Sequence, residues 1–228
     1  MNKVIVRNIV LVAYLFISVL FPAVTIAKEP QNIDLLKKEL IKYHDSGEYY
    51  NGIKETILKA KEHLKKCILN NKEGRKLAVV LDIDDTSLSS YDAKNDSDSL
   101  FTFDVDFFEN VVLKGKWPVI YPVLNLYNFA KENNVAVFFV SGRKESWCDI
   151  TTKQLLQAGY KNWSGIYLKP DTNKNIVKST QQFKKLARKD IISRGYDIVL
   201  NIGDQYGDLG ANCNGCNFKI PNPYYFID

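Results

Sequence analysis

A chain of 228 residues, 46% hydrophobic and 25% charged, can bury the core of one ordinary domain, which excludes a disordered chain and a polytopic membrane protein. The formal charge of +5 falls to +3 once Lys3 and Arg7 leave with the segment that carries them, too mild for a nucleic-acid binder. Only two histidines, His44 and His63, are present, so multi-histidine metal centres are excluded; hydrolytic chemistry would have to run on carboxylates, hydroxyls, lysine and an oxygen-ligated metal.

Lys3 and Arg7 precede an apolar run over 9–21, and small residues ending at Ala27 precede Lys28. This pattern reads as a secretory signal peptide over residues 1–27. The run is short for a membrane span and ends at Pro22, so cleavage near Ala27 is expected rather than an anchor helix. The mature chain, 28–228, is then exported, periplasmic or secreted, with no membrane span. Cys67, Cys148, Cys213 and Cys216 could form disulfides in such a compartment, with the pairing left open. Cys213 and Cys216 have no second pair and make a poor zinc site.

Residues 33–70 read as helix with a break near 45–47 and Ser46 as N-cap. Tyr49, Ile53, Ile57, Ala60, Leu64 and Ile68 keep helical spacing, and 28–72 is a helical extension ahead of the main domain. Apolar runs at 77–81, 135–140, 165–168 and 198–202 read as strands, the first two buried on both faces. Helical patterns at 119–130 and 183–191 lie between them. The alternation predicts an α/β fold with a parallel sheet. The stretch 87–116 fits neither pattern and reads as an insertion over the sheet edge; Phe101, Phe103, Phe107 and Phe108 belong to it and are expected in its core.

The strands run into polar residues at their C-terminal ends, the edge where open α/β sheets bind ligands. The first ends Asp82-Ile83-Asp84-Asp85-Thr86, the second Ser141-Gly142-Arg143, and the fourth Gly203-Asp204-Gln205-Tyr206-Gly207-Asp208. Residues two apart on an extended chain share a side, so Asp82 and Asp84 are expected together, in need of a cation. Four acidic groups without histidine describe a hard-cation site suited to Mg²⁺.

These clusters, with a lysine downstream, resemble the four motifs of the haloacid dehalogenase (HAD) superfamily of phosphohydrolases. More narrowly, the chain is similar to its secreted acid phosphatases, the group of bacterial class B-like enzymes and plant vegetative storage proteins. The resemblance runs from Leu77 to the C-terminus. Asp85 stands where the group commonly has Glu, and Tyr206-Gly207 where it has Trp-Ser. It implies a HAD-like Rossmannoid sheet with 87–116 as a small cap, and a phosphatase acting on small phosphomonoesters. By resemblance, Asp82 is the nucleophile and Asp84 the general acid and base. Mg²⁺ lies on Asp82, the Asp84 backbone carbonyl and Asp204. Asp208 supports the metal waters or the lysine, and Ser141 with the Gly142 amide holds phosphate. Arg143 is expected to anchor its loop. Among the lysines after the third strand, Lys184 matches the family layout: Phe183 before it, Arg188 four residues on, then Gly195-Tyr196. The alternatives are a 5′-nucleotidase or phosphotransferase of the same fold, and a non-catalytic storage or binding protein, against which the retained Asp82 argues.

Overall fold

The computed structural model describes residues 27–95, 101, 104–114, 117–171, 179–210 and 216–227. The expected signal segment up to 26, Phe103, Lys174, Lys178 and Cys213 lie outside them. Residues 27–32 are irregular and exposed. The fold resides in Ile33–Asp228.

The strands are β1 (Lys76–Leu81), β2 (Ala136–Lys144), β3 (Gly165–Lys169), β4 (Tyr196–Gly203) and β5 (Asn217–Lys219). They form one parallel sheet in the order β3-β2-β1-β4-β5. The helices are α1 (Ile33–Asp45), α2 (Glu48–Leu69), α3 (Tyr91–Asn95), α4 (Val105–Lys114), α5 (Tyr121–Glu132), α6 (Cys148–Gln157) and α7 (Thr180–Ser193). Among the described residues no helix is long and apolar enough to cross a membrane.

Each face of the sheet has its own helical layer. Leu77, Val79 and Leu81 of β1 and Val137 and Phe139 of β2 belong to the core built with α2 and α5, which holds Ile53, Ile57, Leu64, Val123 and Leu126. The alternate residues Ala78, Val80, Phe138 and Val140 meet Phe183, Ala187 and Ile191 of α7. Burial on both sides makes β1 and β2 near-continuous apolar runs. The chain lays β2 and β3 to one side of β1 and returns as β4 on the other. The order therefore reverses at β1, and the crevice beyond the ends of β1 and β4 is where this architecture places a ligand. The Asp82 amide donates to the Ile202 carbonyl at 3.0 Å, tying those two ends together.

Three features differ from the sequence expectations. The 87–116 insertion contains α3 and α4, where the sequence pattern indicated neither helix nor strand. Their apolar faces are short, with Phe108, Val111 and Val112 of α4 turned toward Trp117 and the core. The N-cap of α2 is Gly47, not Ser46: the chain turns there at φ 83°, a conformation open to glycine, and the Ser46 hydroxyl donates to the Tyr43 carbonyl at 3.2 Å. Finally, α6 and β5 are additions. Cys67 and Cys148 are free thiols, whereas Cys216 is disulfide-bonded.

Leu64 is fully buried where α2 packs into this core. Leu64→Ala is expected to lower unfolding free energy by about 2–5 kcal/mol, read as a lower urea midpoint at unchanged m value. A loss well under 1 kcal/mol would show that α2 is an ornament to the fold rather than part of its core.

Candidate active site

Three elements converge on one buried cluster. Asp82 follows β1, Asp204 follows β4, and Asp208 lies in a tight turn just beyond, over Tyr206–Asp208. Each contributes a carboxylate oxygen to a group whose members lie within 4.8 Å of one another. All three residues are at most 5% exposed. Lys184, from the second turn of α7, donates to Asp82 Oδ1 at 2.6 Å and to Asp208 Oδ1. The preceding N-cap is regular: Ser179 Oγ accepts from the Gln182 amide at 3.1 Å. Lys184 and Arg188 are buried on the inner face of α7, whereas Lys185 and Lys189 on its outer face are exposed. Arg188 donates to the carbonyls of Asp208 at 3.0 Å and Leu209 at 3.2 Å, bracing the turn that carries Asp208.

Local bonds fix each carboxylate. Asp204 Oδ1 accepts from Thr86 Oγ1 at 3.1 Å, and Oδ2 accepts from Gln205 Nε2 and Asn222 Nδ2, both at 2.7 Å. Asp208 Oδ2 accepts from the Gln205 amide at 2.8 Å. A Cβ at residue 203 would overlap the Asp208 side chain, so Gly203 is required there. Asp85 occupies the left-handed region at φ 52°, which a short acidic residue tolerates. It accepts from the Ser90 amide and hydroxyl at 2.7 and 2.6 Å and from the Tyr225 hydroxyl.

Asp84 goes elsewhere. Arg143 Nη2 and Nε donate to Asp84 Oδ1 at 2.7 and 2.9 Å, and Nε lies 3.1 Å from Oδ2. Ser141 Oγ, fully buried, donates to Asp84 Oδ2 at 3.3 Å. The expected quartet of acidic groups is thus a trio around Lys184 plus a separately paired Asp84. Both meet in one cavity of about 260 Å³, lined by Asp82, Asp84, Gly142, Lys184, Asp204 and Asp208 among others. Phe108, placed in the insertion core by its sequence, also lines that cavity.

Charge and burial set the electrostatics. Burial, then the Asp208 charge, pushes Asp82 well above the ordinary carboxylate range, with Lys184 opposing. Burial and then Asp208 and Asp85 raise Asp204 to about 6, against the amide donors Asn222 and Gln205. For Lys184 burial alone would favour the neutral amine, but Asp208 and Asp82 outweigh it and raise its pKa. One ammonium facing three carboxylates leaves net negative charge in a low-dielectric space. An all-oxygen donor set with that surplus fits a hard divalent cation.

Comparison with known proteins gives the family. The family model for HAD superfamily subfamily IIIB (acid phosphatase) matches residues 20–228. The chain belongs to HAD subfamily IIIB. Acid phosphatase 1 of Solanum lycopersicum is 31% identical over 150 residues, 65% of this chain and 58% of that protein. Vegetative storage protein 2 of Arabidopsis thaliana is 33% identical over 152 residues, 65% and 56% of the two chains. This chain therefore spans little more than half the length of these relatives. The class C acid phosphatase of Bacillus anthracis shares the fold at a TM-score of 0.70 and 20% identity, over 85% of this chain and 86% of that one.

Within this HAD IIIB site, sequence reasoning missed the grip of Arg143 on Asp84, the bond from Asn222 to Asp204, and the C-terminal Tyr225 on Asp85. The family resemblance, which runs from Leu77 to the C-terminus, covers these residues without giving their contacts.

The raised Asp204 yields a sign-specific expectation. Between about pH 4 and about pH 6 the metal-free folded protein holds a proton that the unfolded chain releases, so this group's contribution to stability falls as pH rises through that window. A divalent cation relieves the repulsion only where the carboxylates are ionised. Its increment in melting temperature is expected to be larger at about pH 7 than at about pH 4.5. Equal increments at both pH values, or none, would contradict a cation site on these carboxylates.

Proposed function

We propose that this protein is an exported acid phosphatase that hydrolyses small phosphomonoesters through an aspartyl-phosphate on Asp82. The observation that carries the reading is the Lys184 ammonium bonded to both Asp82 and Asp208 in a cavity that Asp84 and Asp204 also line. That combination brings a candidate nucleophile, a candidate proton donor and a fixed cation to one small space.

In the first half-reaction an Asp82 carboxylate oxygen bonds to phosphorus while the ester P–O bond breaks. Asp84 gives its proton to the departing oxygen. In the second, Asp84 takes a proton from water, the resulting hydroxide attacks phosphorus, and inorganic phosphate leaves with Asp82 restored. Lys184 holds Asp82 in place and faces the negative charge that builds on the phosphoryl oxygens. The Gly142 amide is assigned to those oxygens as well. Ser141, through its hydroxyl on Asp84, steadies the acid as much as it serves phosphate.

The residues fit Mg²⁺, which would be held by the Asp82 and Asp204 carboxylates and the Asp84 backbone carbonyl, with Asp208 behind them. When bound, the ion supplies charge neutralisation between nucleophile and phosphate. Residues 87–116 are assigned as the cap and 28–72 as the helical extension. Removal of residues 1–27 as a signal peptide accords with the disulfide-bonded Cys216, a state favoured in oxidising compartments.

Chelation is expected to abolish p-nitrophenyl phosphate turnover, with Mg²⁺ restoring it. Lys184→Ala is expected to lose about a hundredfold to a thousandfold in kcat, while Lys185→Ala on the exposed face stays within a few fold. Full turnover by Lys184→Ala, or after exhaustive chelation, would contradict the reading.

A further inference from the structure

Arg143 is fully buried, and its guanidinium is a junction. Two of its nitrogens grip Asp84. The third, Nη1, donates to Gln154 Oε1 at 2.6 Å and Thr151 Oγ1 at 3.2 Å, both on α6. Trp117, just past the 87–116 insertion, lies with its ring centroid 4.6 Å from Cζ. Gln154 in turn donates through Nε2 to the Val112 carbonyl of α4 at 2.8 Å. The end of β2, α6 and the insertion therefore meet on the group that holds Asp84.

A loop anchor would spend its donors on backbone carbonyls, as Arg188 does. Arg143 spends its side-chain donors on side chains, and the carboxylate it grips lines the cavity and is not held by Lys184. The Asp84 side chain is 13% exposed, and its other side-chain bond is the 3.3 Å one from Ser141. A planar two-nitrogen grip fixes both the position and the plane of a carboxyl group, which a lysine cannot do. The grip is also lopsided. Oδ1 takes the 2.7 and 2.9 Å bonds, while Oδ2 has partners only at 3.1 and 3.3 Å. Oδ2 is thus the less tightly held oxygen.

We propose that Arg143 is a positioning residue for leaving-group protonation, braced by α6 and the insertion, and that it determines how basic a leaving group this protein accepts. The inference rests on the phosphatase reading above. As the Asp82–phosphorus bond forms, the electrons of the breaking P–O bond pass to the ester oxygen. That oxygen takes the proton from Asp84 Oδ2, and the carboxylate left behind stays paired with Arg143. A weakly basic leaving group such as p-nitrophenolate departs without that proton; an alkoxide does not.

The test measures kcat/KM, which reports the steps up to phosphoryl transfer, over a series from p-nitrophenyl phosphate through phenyl phosphate to simple alkyl phosphates. Arg143→Lys keeps the charge and loses the fork. It is expected to stay within about tenfold of wild type on p-nitrophenyl phosphate and to lose about a hundredfold or more on alkyl phosphates, the range that general acid catalysis supplies. Asp84→Asn is expected to show the same steepening, and adding Arg143→Lys to it to cost little more, because the two act as a unit. Should Arg143→Lys fail to fold, Gln154→Leu, which removes the brace and keeps Arg143, decides by the same comparison. Equal losses across the series, or additive losses in the double variant, would overturn the proposal while leaving the phosphatase reading intact. A wild-type protein that turns over no member of the series overturns the phosphatase reading, and this proposal with it.

Discussion

Three carboxylates and one ammonium share a buried space at the ends of β1 and β4, and much of the surrounding structure serves to keep them there. At about 4 Å and an effective dielectric of 20, each like-charge pair costs roughly 4 kcal/mol. Lys184 offsets part of that cost for Asp82 and Asp208. Thr86, Gln205 and Asn222 direct hydrogen bonds at Asp204, and Gly203 leaves room for the Asp208 side chain. Such a cluster persists only when the fold over-determines it. Here the fold does so from the β1–β4 seam, from α7 and from the C-terminal segment.

The second organising feature is the separation of the two acidic residues that begin the site. Asp82 and Asp84 are two residues apart, yet each has its own cation: Lys184 from α7 and Arg143 from β2. Different partners and different burial give two carboxyl groups different chemistry, the general route by which one site houses a nucleophile and an acid. Asp82 is raised first by its burial and then by the neighbouring Asp208 charge. Asp84 lines the cavity in the grip of a guanidinium that α6 and the insertion brace.

How much of this was legible in the sequence follows from burial. β1 and β2 announce themselves because both faces are covered, so the runs 77–81 and 135–140 are apolar throughout. α2 does so because Ile53, Ile57, Ala60 and Leu64 keep a clean helical stripe. α6 was silent for the converse reason: the residues it buries are Thr151, Gln154 and Leu155, two of which are polar because they face Arg143. β5 has three residues, none of them fully buried, and presents no period to read. In the site, Lys184 was singled out by resemblance, because Phe183, Arg188 and Gly195-Tyr196 match the family's layout. Arg143 was expected to anchor its loop; its bond to Asp84 had no local signal, because that partner lies 59 residues away. Asp82 and Asp84 were expected to share a cation, since strand alternation gives direction but not the distant residue that meets each side chain.

The central claim is that Asp82 becomes covalently phosphorylated. The most direct measurement mixes the protein with substrate and Mg²⁺, quenches in acid within milliseconds, reduces any acyl phosphate with borohydride and locates the product by peptide mass spectrometry. The account predicts homoserine at position 82, in an amount that rises and falls with substrate. Modification at another residue, or steady turnover with no trapped phosphoenzyme under conditions that preserve acyl phosphates, would contradict it.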